Sequence, residues 1–268
     1  MGNFNLDTDE QKEWYSISTN RSSEHLGDCL ELMPLIADES IDMILCDLPY
    51  GTTACKWDTI IPFDKLWEQY ERIIKPNGAI VLTASQPFTS ALVMSNTSLF
   101  KYEWIWEKPK ATGHALSKVQ PMKAHENILV FGKGKINYYP QFENGEPYKG
   151  RNKPKYKESD EFSTGYGNRN NNDGFRFPRS VQFFRNTQYV NEQIHPTQKP
   201  TTLWEYLIKT YTNEGDLILD NCAGSGTTAI ACLNTNRKYI VMEQEKEYYS
   251  KGLKRILEWE REQKNKLF

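Results

Sequence analysis

Two short apolar runs that end in an acid constrain the architecture most. Residues 40–47 read SIDMILCD and residues 216–220 read DLILD. Neither alternates apolar with polar, so neither suits a strand with one wet face. Each reads as a strand buried on both faces, which is the habit of parallel strands covered by helices. Between and around them, strand-like and helix-like segments take turns. FDKLWEQYERIIKP (63–76) places Phe63, Leu66, Trp67, Tyr70, Ile73 and Ile74 on one helical face, and PNG (76–78) is expected to stop it. AIVLTAS (79–85), YEWIWEK (102–108), HENILVFGK (125–133) and KYIVME (238–243) read as strands. CLELMPLIAD, QPFTSALVMS, TTLWEYLIKTYT, TTAIACLNT and the closing EYYSKGLKRILEWEREQKN read as helices. Trp104 and Trp106 are expected in the core, and His114 and His125 as structural or surface residues. The alternation predicts an α/β fold: a doubly wound, mostly parallel sheet, in one domain over 24–268.

The rhythm fails over 134–193. That stretch is rich in Asn, Gly, Lys, Arg, Tyr and Phe and has little periodicity, although SVQFF could form a strand. Sixty irregular residues inside a compact domain usually serve a function. Charge separates the regions too. Residues 101–200 hold 17 Lys and Arg against 10 Asp and Glu, an excess of +7, which leaves −9 for the rest of a chain whose net charge is −2. A basic middle on an acidic body fits a surface that meets a polyanion.

Other classes drop out. No apolar run approaches the ~20 residues of a membrane span, and MGNFNLDTDEQKEW lacks the apolar core of a signal peptide. The five cysteines are odd in number and form no C-x-x-C pair, which predicts free thiols in a reducing cytoplasm and no metal site.

In open α/β sheets, ligands bind beyond the carboxyl ends of the strands. At one such end, DLILDNCAGSGTTAIAC, a strand stops at Asp220, Gly224 and Gly226 make a tight turn, and a helix opens at Thr227. Glu243 closes the next strand. Glycines let a ligand touch backbone, and the acid suits ribose hydroxyls. At the other, CDLPYG, Asp47 ends a strand and Pro49 stiffens a turn that presents Tyr50. A carboxylate beside an aromatic plate fits a planar base with an exocyclic amine: the ring stacks on the face, and the carboxylate accepts from the amine.

DLPY followed later by DNCAGSGTT resembles the amino-methylating DNA methyltransferases that use S-adenosylmethionine, whose usual signatures are D-P-P-Y and D-P-F-x-G-S-G-T-T. Catalytic motif first, basic insertion next and cofactor loop last is similar to the β group of that family, and HPTQKP (195–200) matches the segment before its cofactor loop. The resemblance spans nearly the whole chain and implies a Rossmann-like methyltransferase fold. It assigns Asp47, Leu48, Pro49 and Tyr50 to catalysis on a base flipped from double-stranded DNA. Asp28, Lys199, Asp220, Cys222, Gly224, Gly226, Thr227 and Glu243 are assigned to the cofactor. Asp28 would accept from the cofactor's adenine amine, or else simply cap the helix that follows it. Lys199 would lie near the cofactor carboxylate, or else be a solvated turn lysine. Within 134–193, a target-recognition segment, Arg151, Lys153, Lys155, Lys157, Arg169, Arg176 and Arg179 are expected to contact DNA. Dimers are common in the β group, so a homodimer is expected. Two departures stand out: Leu48 replaces the first proline of D-P-P-Y, and Asn221 and Cys222 replace Pro-Phe in the loop.

Within this family an aspartate at the head of the first motif leans toward adenine N6 and a serine toward cytosine N4, so Asp47 favours adenine, with N4-cytosine the alternative. An NAD-type oxidoreductase would use the glycine loop but leaves DLPY and the basic insertion unexplained. A non-catalytic nucleic-acid-binding module has no need of Asp47, Pro49 and Tyr50. RNA or protein amines are disfavoured, because many such enzymes carry Asn where this chain has Asp47.

Overall fold

A computed structural model gives the structure of the chain and describes residues 22–53, 55, 58–149, 173–185 and 198–266. In chain order the first half comprises β1 (Ser23–Leu26), α1 (Cys29–Leu32) with a 3-10 turn at Met33–Leu35, β2 (Ile41–Cys46), α2 (Phe63–Ile73), β3 (Ile74–Ala84), α3 (Phe88–Ser95), β4 (Phe100–Thr112) and β5 (Lys123–Phe131). The second half comprises β6 (Glu143–Asn144), β7 (Phe175–Arg176), β8 (Val181–Phe183), α4 (Thr201–Tyr211), β9 (Leu217–Asp220), α5 (Thr227–Asn234), β10 (Lys238–Glu243) and α6 (Lys246–Lys266).

Eight strands form one sheet in the order β1-β10-β9-β2-β3-β5-β4-β8. From β1 to β3 every pairing is parallel, so the carboxyl ends of five strands share one edge. β5 then runs antiparallel to both β3 and β4. That reversal matters for the site. It brings the start of β5 to the edge where the parallel strands end: Ala84 pairs with Asn127, and Trp106 of β4 with Glu126. The SVQFF segment does supply a strand, β8, parallel to β4.

Strand residues alternate between two buried layers, which explains why the runs are apolar throughout. Ile44, Cys46, Ile80, Leu82, Leu219 and Met242 face one cluster with residues of α1, α2 and α3. Met43, Leu45, Val81, Ile218, Tyr239 and Val241 face the other with residues of α4, α5 and α6. Trp104 and Trp106 are buried in the second layer, and His114 and His125 are exposed.

One boundary departs from the sequence reading. α2 ends at Ile73, three residues before PNG. Ile74 is fully buried and pairs with Ile41, and the ladder next resumes at Ala79 opposite Met43. Pairing with β2 wins over helix propensity, and PNG becomes an irregularity inside β3. No helix among the described residues is long and apolar enough to cross a membrane.

Contacts divide the chain into two units. The larger holds the eight-stranded sheet and the smaller is Pro140–Arg179. In the smaller, β6 and β7 pair antiparallel, Phe142 packs on Phe175 and Phe177, and the Arg176 guanidinium lies 4.7 Å from the Tyr148 ring centre.

Candidate active site

The chain leaves β2 at Cys46 and enters DLPYG. Asp47 is gripped at once. Its Oδ1 accepts from the Tyr50 hydroxyl at 2.7 Å and from Thr83 Oγ1 on neighbouring β3 at 2.5 Å, and its Oδ2 accepts from Lys199 Nζ. Leu48 drops its side chain into the first core layer, which gives the residue in proline's place a packing role. The Tyr50 ring lies against Phe88, centres 5.1 Å apart and 26° from coplanar. Burial, with Asp47 adding, pushes the Tyr50 phenol well up, so it stays a neutral donor to the carboxylate. Gly51 has a φ of +66°, a conformation glycine adopts without strain. Just beyond, Asp58 gathers three amides: Gly51 at 2.8 Å, Thr52 at 2.9 Å and Thr53 at 2.6 Å. Burial alone would raise the Asp58 carboxyl. The Thr53 side chain and those amides outweigh it and hold the carboxyl below its usual range.

The antiparallel reversal adds residues that the sequence did not single out. Glu126, at the start of β5, pairs with Lys108 of β4 and lies 3.6 Å from Lys199 Nζ. Lys199 is therefore no solvated turn lysine, since its side chain is 7% exposed. Nor does its ammonium stand free for a cofactor carboxylate, because it sits on Asp47 with Glu126 beside it. A buried ammonium needs such partners. Burial pushes Lys199 down, but Asp47 and Glu126 outweigh it and hold its pKa above the ordinary value. Glu126 is the mirror case: burial pushes it up, and Lys199 and Lys108 bring it below the usual carboxylate range.

The second strand end lies at β9. Asp220 is 3% exposed; Oδ1 accepts from the Cys222 amide at 3.0 Å and Oδ2 from the Thr228 hydroxyl. Burial, opposed by those bonds, raises its carboxyl to about 6. Gly224 and Gly226 both have positive φ, +52° and +73°, and a Cβ added at Gly224 would meet only open space. The backbone there is bare to a ligand. Glu243, at the end of β10, accepts from the Gly224 amide at 2.8 Å and from the Glu245 amide at 2.8 Å. Burial pushes its carboxyl up. Asp28 caps α1 by accepting from the Leu30 amide at 2.8 Å. Thr227 accepts from Arg255 of α6, and Thr228 also accepts from Trp204 Nε1 at 2.8 Å. The Cys222 side chain packs against the core layer that holds Cys29 and Cys46.

Both strand ends open into one cavity of about 440 Å³, lined among others by Asp28, Asp47, Tyr50, Lys199, Gly224 and Glu243. That volume lies within the range of small-molecule sites, roughly 300–1,000 Å³. Leu48, Pro49, Asp220, Cys222 and Thr227 also line it, whereas Gly226 faces away, against Gly252. Of the expected DNA contacts, Arg176 and Arg179 belong to the smaller unit, and Arg176 donates to the Glu146 carbonyl. Arg151, Lys153, Lys155, Lys157 and Arg169 lie outside the described residues. Thr83, Asp58, Lys108 and Glu126 went unforeseen. The one signal for Glu126 was an acid at the head of the apolar run HENILVF.

Comparison with known proteins points the same way. The model of the N6/N4 methyltransferase family, described as DNA methylase, matches residues 41–254. The chain is 28% identical over 272 residues to the type II methyltransferase M2.MboI of Moraxella bovis, covering 92% of each chain. It is 29% identical over 251 residues to the DNA adenine methyltransferase YhdJ of Escherichia coli (strain K12), covering 86% of this chain and 81% of that one. Among solved structures, the M1.HpyAVI–SAM complex superposes with a TM-score of 0.62 at 24% identity, covering 87% of this chain and 98% of the other. The PvuII DNA methyltransferase, cytosine-N4-specific, gives 0.62 at 17% identity, covering 88% and 86%. At those identities the two structures speak to the fold.

Proposed function

The chain belongs to the N6-adenine/N4-cytosine DNA methylase family, and from that premise we propose that it transfers the methyl group of S-adenosylmethionine to N6 of an adenine flipped out of double-stranded DNA. One observation carries the reading: Asp47, backed by Tyr50, opens into the same cavity as the bare Gly224 backbone and Glu243. A donor seated at the second strand end and an amine seated at the first would therefore meet in one cavity.

The residues present fit that donor. Gly224 offers backbone without a side chain, Glu243 a carboxylate for ribose hydroxyls, and Asp28 a carboxylate at the rim for an adenine amine. When bound, S-adenosylmethionine supplies a methyl group on a sulfonium, whose departure as a neutral thioether favours transfer. The chain's task is to make an aromatic amine nucleophilic. Its lone pair is delocalised into the ring. Asp47 and the carbonyl of Leu48 or Pro49 accept the two N–H groups and favour a pyramidal nitrogen whose lone pair leaves the ring plane. This is positioning and electrostatic stabilisation rather than covalent chemistry. Flipping the base costs a few kcal/mol, and stacking on Tyr50 returns about 1–3 kcal/mol of it. Thr83 and the Tyr50 hydroxyl fix the carboxylate so that little is spent on ordering it. The basic residues of 134–193, Arg176 and Arg179 among them, supply the target-recognition contacts.

The preference for adenine over N4-cytosine rests on the aspartate at position 47. To test it, purified protein is incubated with radiolabelled S-adenosylmethionine and unmethylated duplex DNA beside Asp47→Asn, and the digested DNA is resolved by nucleoside. Label in N6-methyladenine, reduced at least about 100-fold in the variant, is the expected result. Label in N4-methylcytosine overturns the choice of base.

A further inference from the structure

The Asp47 carboxylate meets an incoming amine with a lysine already on it. Oδ1 is held by two neutral hydroxyls, those of Tyr50 and Thr83, so Oδ2 is the oxygen left for a new donor. Lys199 Nζ sits on that oxygen. An ammonium there competes with a base amine for the same lone pairs and cancels the charge that should draw the amine in. The lysine has somewhere to go. Glu126 Oε2 is 3.6 Å from Nζ, is buried, and has no hydrogen-bond partner among the described residues. Closing that gap to an ordinary hydrogen bond takes a shift of about 0.7 Å. The other Glu126 oxygen is tied to Lys108, which keeps the acceptor in place. Two carboxylates and two ammonium groups sum to zero charge in either position, so the shift adds no buried charge.

We propose that Lys199 and Glu126 are positioning residues that form a two-position latch on Asp47. Without a base in the site, Lys199 rests on Asp47 Oδ2. Entry of the target amine moves it toward Glu126 Oε2, which loosens its hold on Asp47 and frees an Oδ2 lone pair to accept from the amine. The proposal rests on the methyltransferase reading above and adds a gate to it: the carboxylate is neutralised until an amine arrives.

The test compares the full chain with Lys199→Met and Glu126→Gln. Methyl transfer to unmethylated duplex DNA is followed across pH, and S-adenosylmethionine binding by calorimetry. Both variants should lower kcat about 10- to 100-fold with cofactor Kd within about twofold. Their pH profiles should differ. Lys199→Met strips Asp47 of its cation beside Glu126, so the acidic limb of kcat moves to higher pH. Glu126→Gln keeps the cation and does not move the limb upward. A purely structural ion pair would lower both rates without that split. Weaker cofactor binding in Lys199→Met with unchanged kcat would place the lysine on the cofactor and overturn the latch.

A second measurement needs no transfer. With the cofactor bound, the Glu126 carboxyl 13C signal, assigned by its loss in Glu126→Gln, is followed while adenosine, cytidine or purine riboside is added. Adenosine or cytidine should shift it, and purine riboside, which lacks the amine, should not. No shift with the amines, or an equal shift with purine riboside, refutes the latch. The signal responding while wild type labels no DNA would instead refute the DNA substrate and leave the latch standing.

Discussion

Thr228→Val should destabilise the protein in a pH-dependent way. Thr228 is fully buried on α5, where its hydroxyl donates to Asp220 Oδ2 on β9 and accepts from Trp204 Nε1 on α4 at 2.8 Å. Valine keeps the volume, so no cavity forms. What remains is a Trp204 N–H without an acceptor, worth about 1–3 kcal/mol. Asp220 also loses a donor, worth about 1.5–3 kcal/mol when the acid is ionised. Because Asp220 borders the cavity, water can replace part of that bond, so a total of about 3–4 kcal/mol is expected at pH 8. The folded pKa of Asp220, about 6, lies above its ordinary 3.8. The group therefore stabilises the fold most below pH 4, and its contribution falls as pH rises through 6. Removing a donor to the charged form raises that pKa further, so the variant's deficit grows from pH 5 to pH 8. At pH 5 only the Trp204 term should persist, about 1–3 kcal/mol. Urea unfolding at the two pH values, without cofactor, measures both. Trp204→Phe in the Thr228→Val background should recover roughly 1 kcal/mol of coupling. Equal losses at pH 5 and 8 would show that Asp220's charge does not depend on this bond and would refute the reasoning.

Two further outcomes are expected. Asp58→Ala frees the amides of Gly51, Thr52 and Thr53 and should cost about 1–2 kcal/mol. It should also cut kcat/KM for DNA about tenfold, leaving cofactor Kd unchanged in calorimetry. Because the Asp58 carboxyl is held below its usual range, its contribution is present above the unfolded pKa and fades only as pH falls through the lower folded value. Wild type and variant should therefore still differ in urea unfolding at pH 5. Glu243→Gln can accept one of the two amides, at Gly224 or Glu245, but not both. Calorimetry should show cofactor Kd weakened about tenfold or more, with kcat at saturation little changed. In wild type, cofactor affinity should begin to fall at a higher pH than a free glutamate would dictate, because burial raises this carboxyl.

Sheet and helix periodicity was readable because burial on both faces makes a strand uniformly apolar, as in MILC and LIL. So was the pairing of the two strand ends in one site, because parallel strands share an edge. The antiparallel turn at β5 was not readable: HENILVF has the same apolar content whichever way it runs, and direction is set by its partners Ile80 to Ala84 and Trp104 to Glu107. Thr83 reaches Asp47 because β3 lies beside β2, and Glu126, paired with Lys108, reaches Lys199 because of that reversal. Lys199 was seen, but its partner was not. A motif gives a residue's place along the chain, whereas the choice between two nearby anions depends on which of them is buried with it.

The departures at 221 and 222 show how a loop keeps its shape when its stiff residues are replaced. Where the family signature has proline, Asn221 is 3% exposed and accepts from the Tyr70 hydroxyl of α2 at 2.5 Å. Where it has a phenylalanine ring, Cys222 packs against the core layer that holds Cys29 at the start of α1 and Cys46 beside Asp47. Proline stiffens a turn through its own ring, and a phenylalanine anchors by area. Here the same turn is held instead by a hydrogen bond to α2 and by packing against the layer beneath it. That layer includes Cys46, the residue before Asp47, so the loop after β9 and the DLPY loop share a packing cluster as well as the neighbouring strands that carry them.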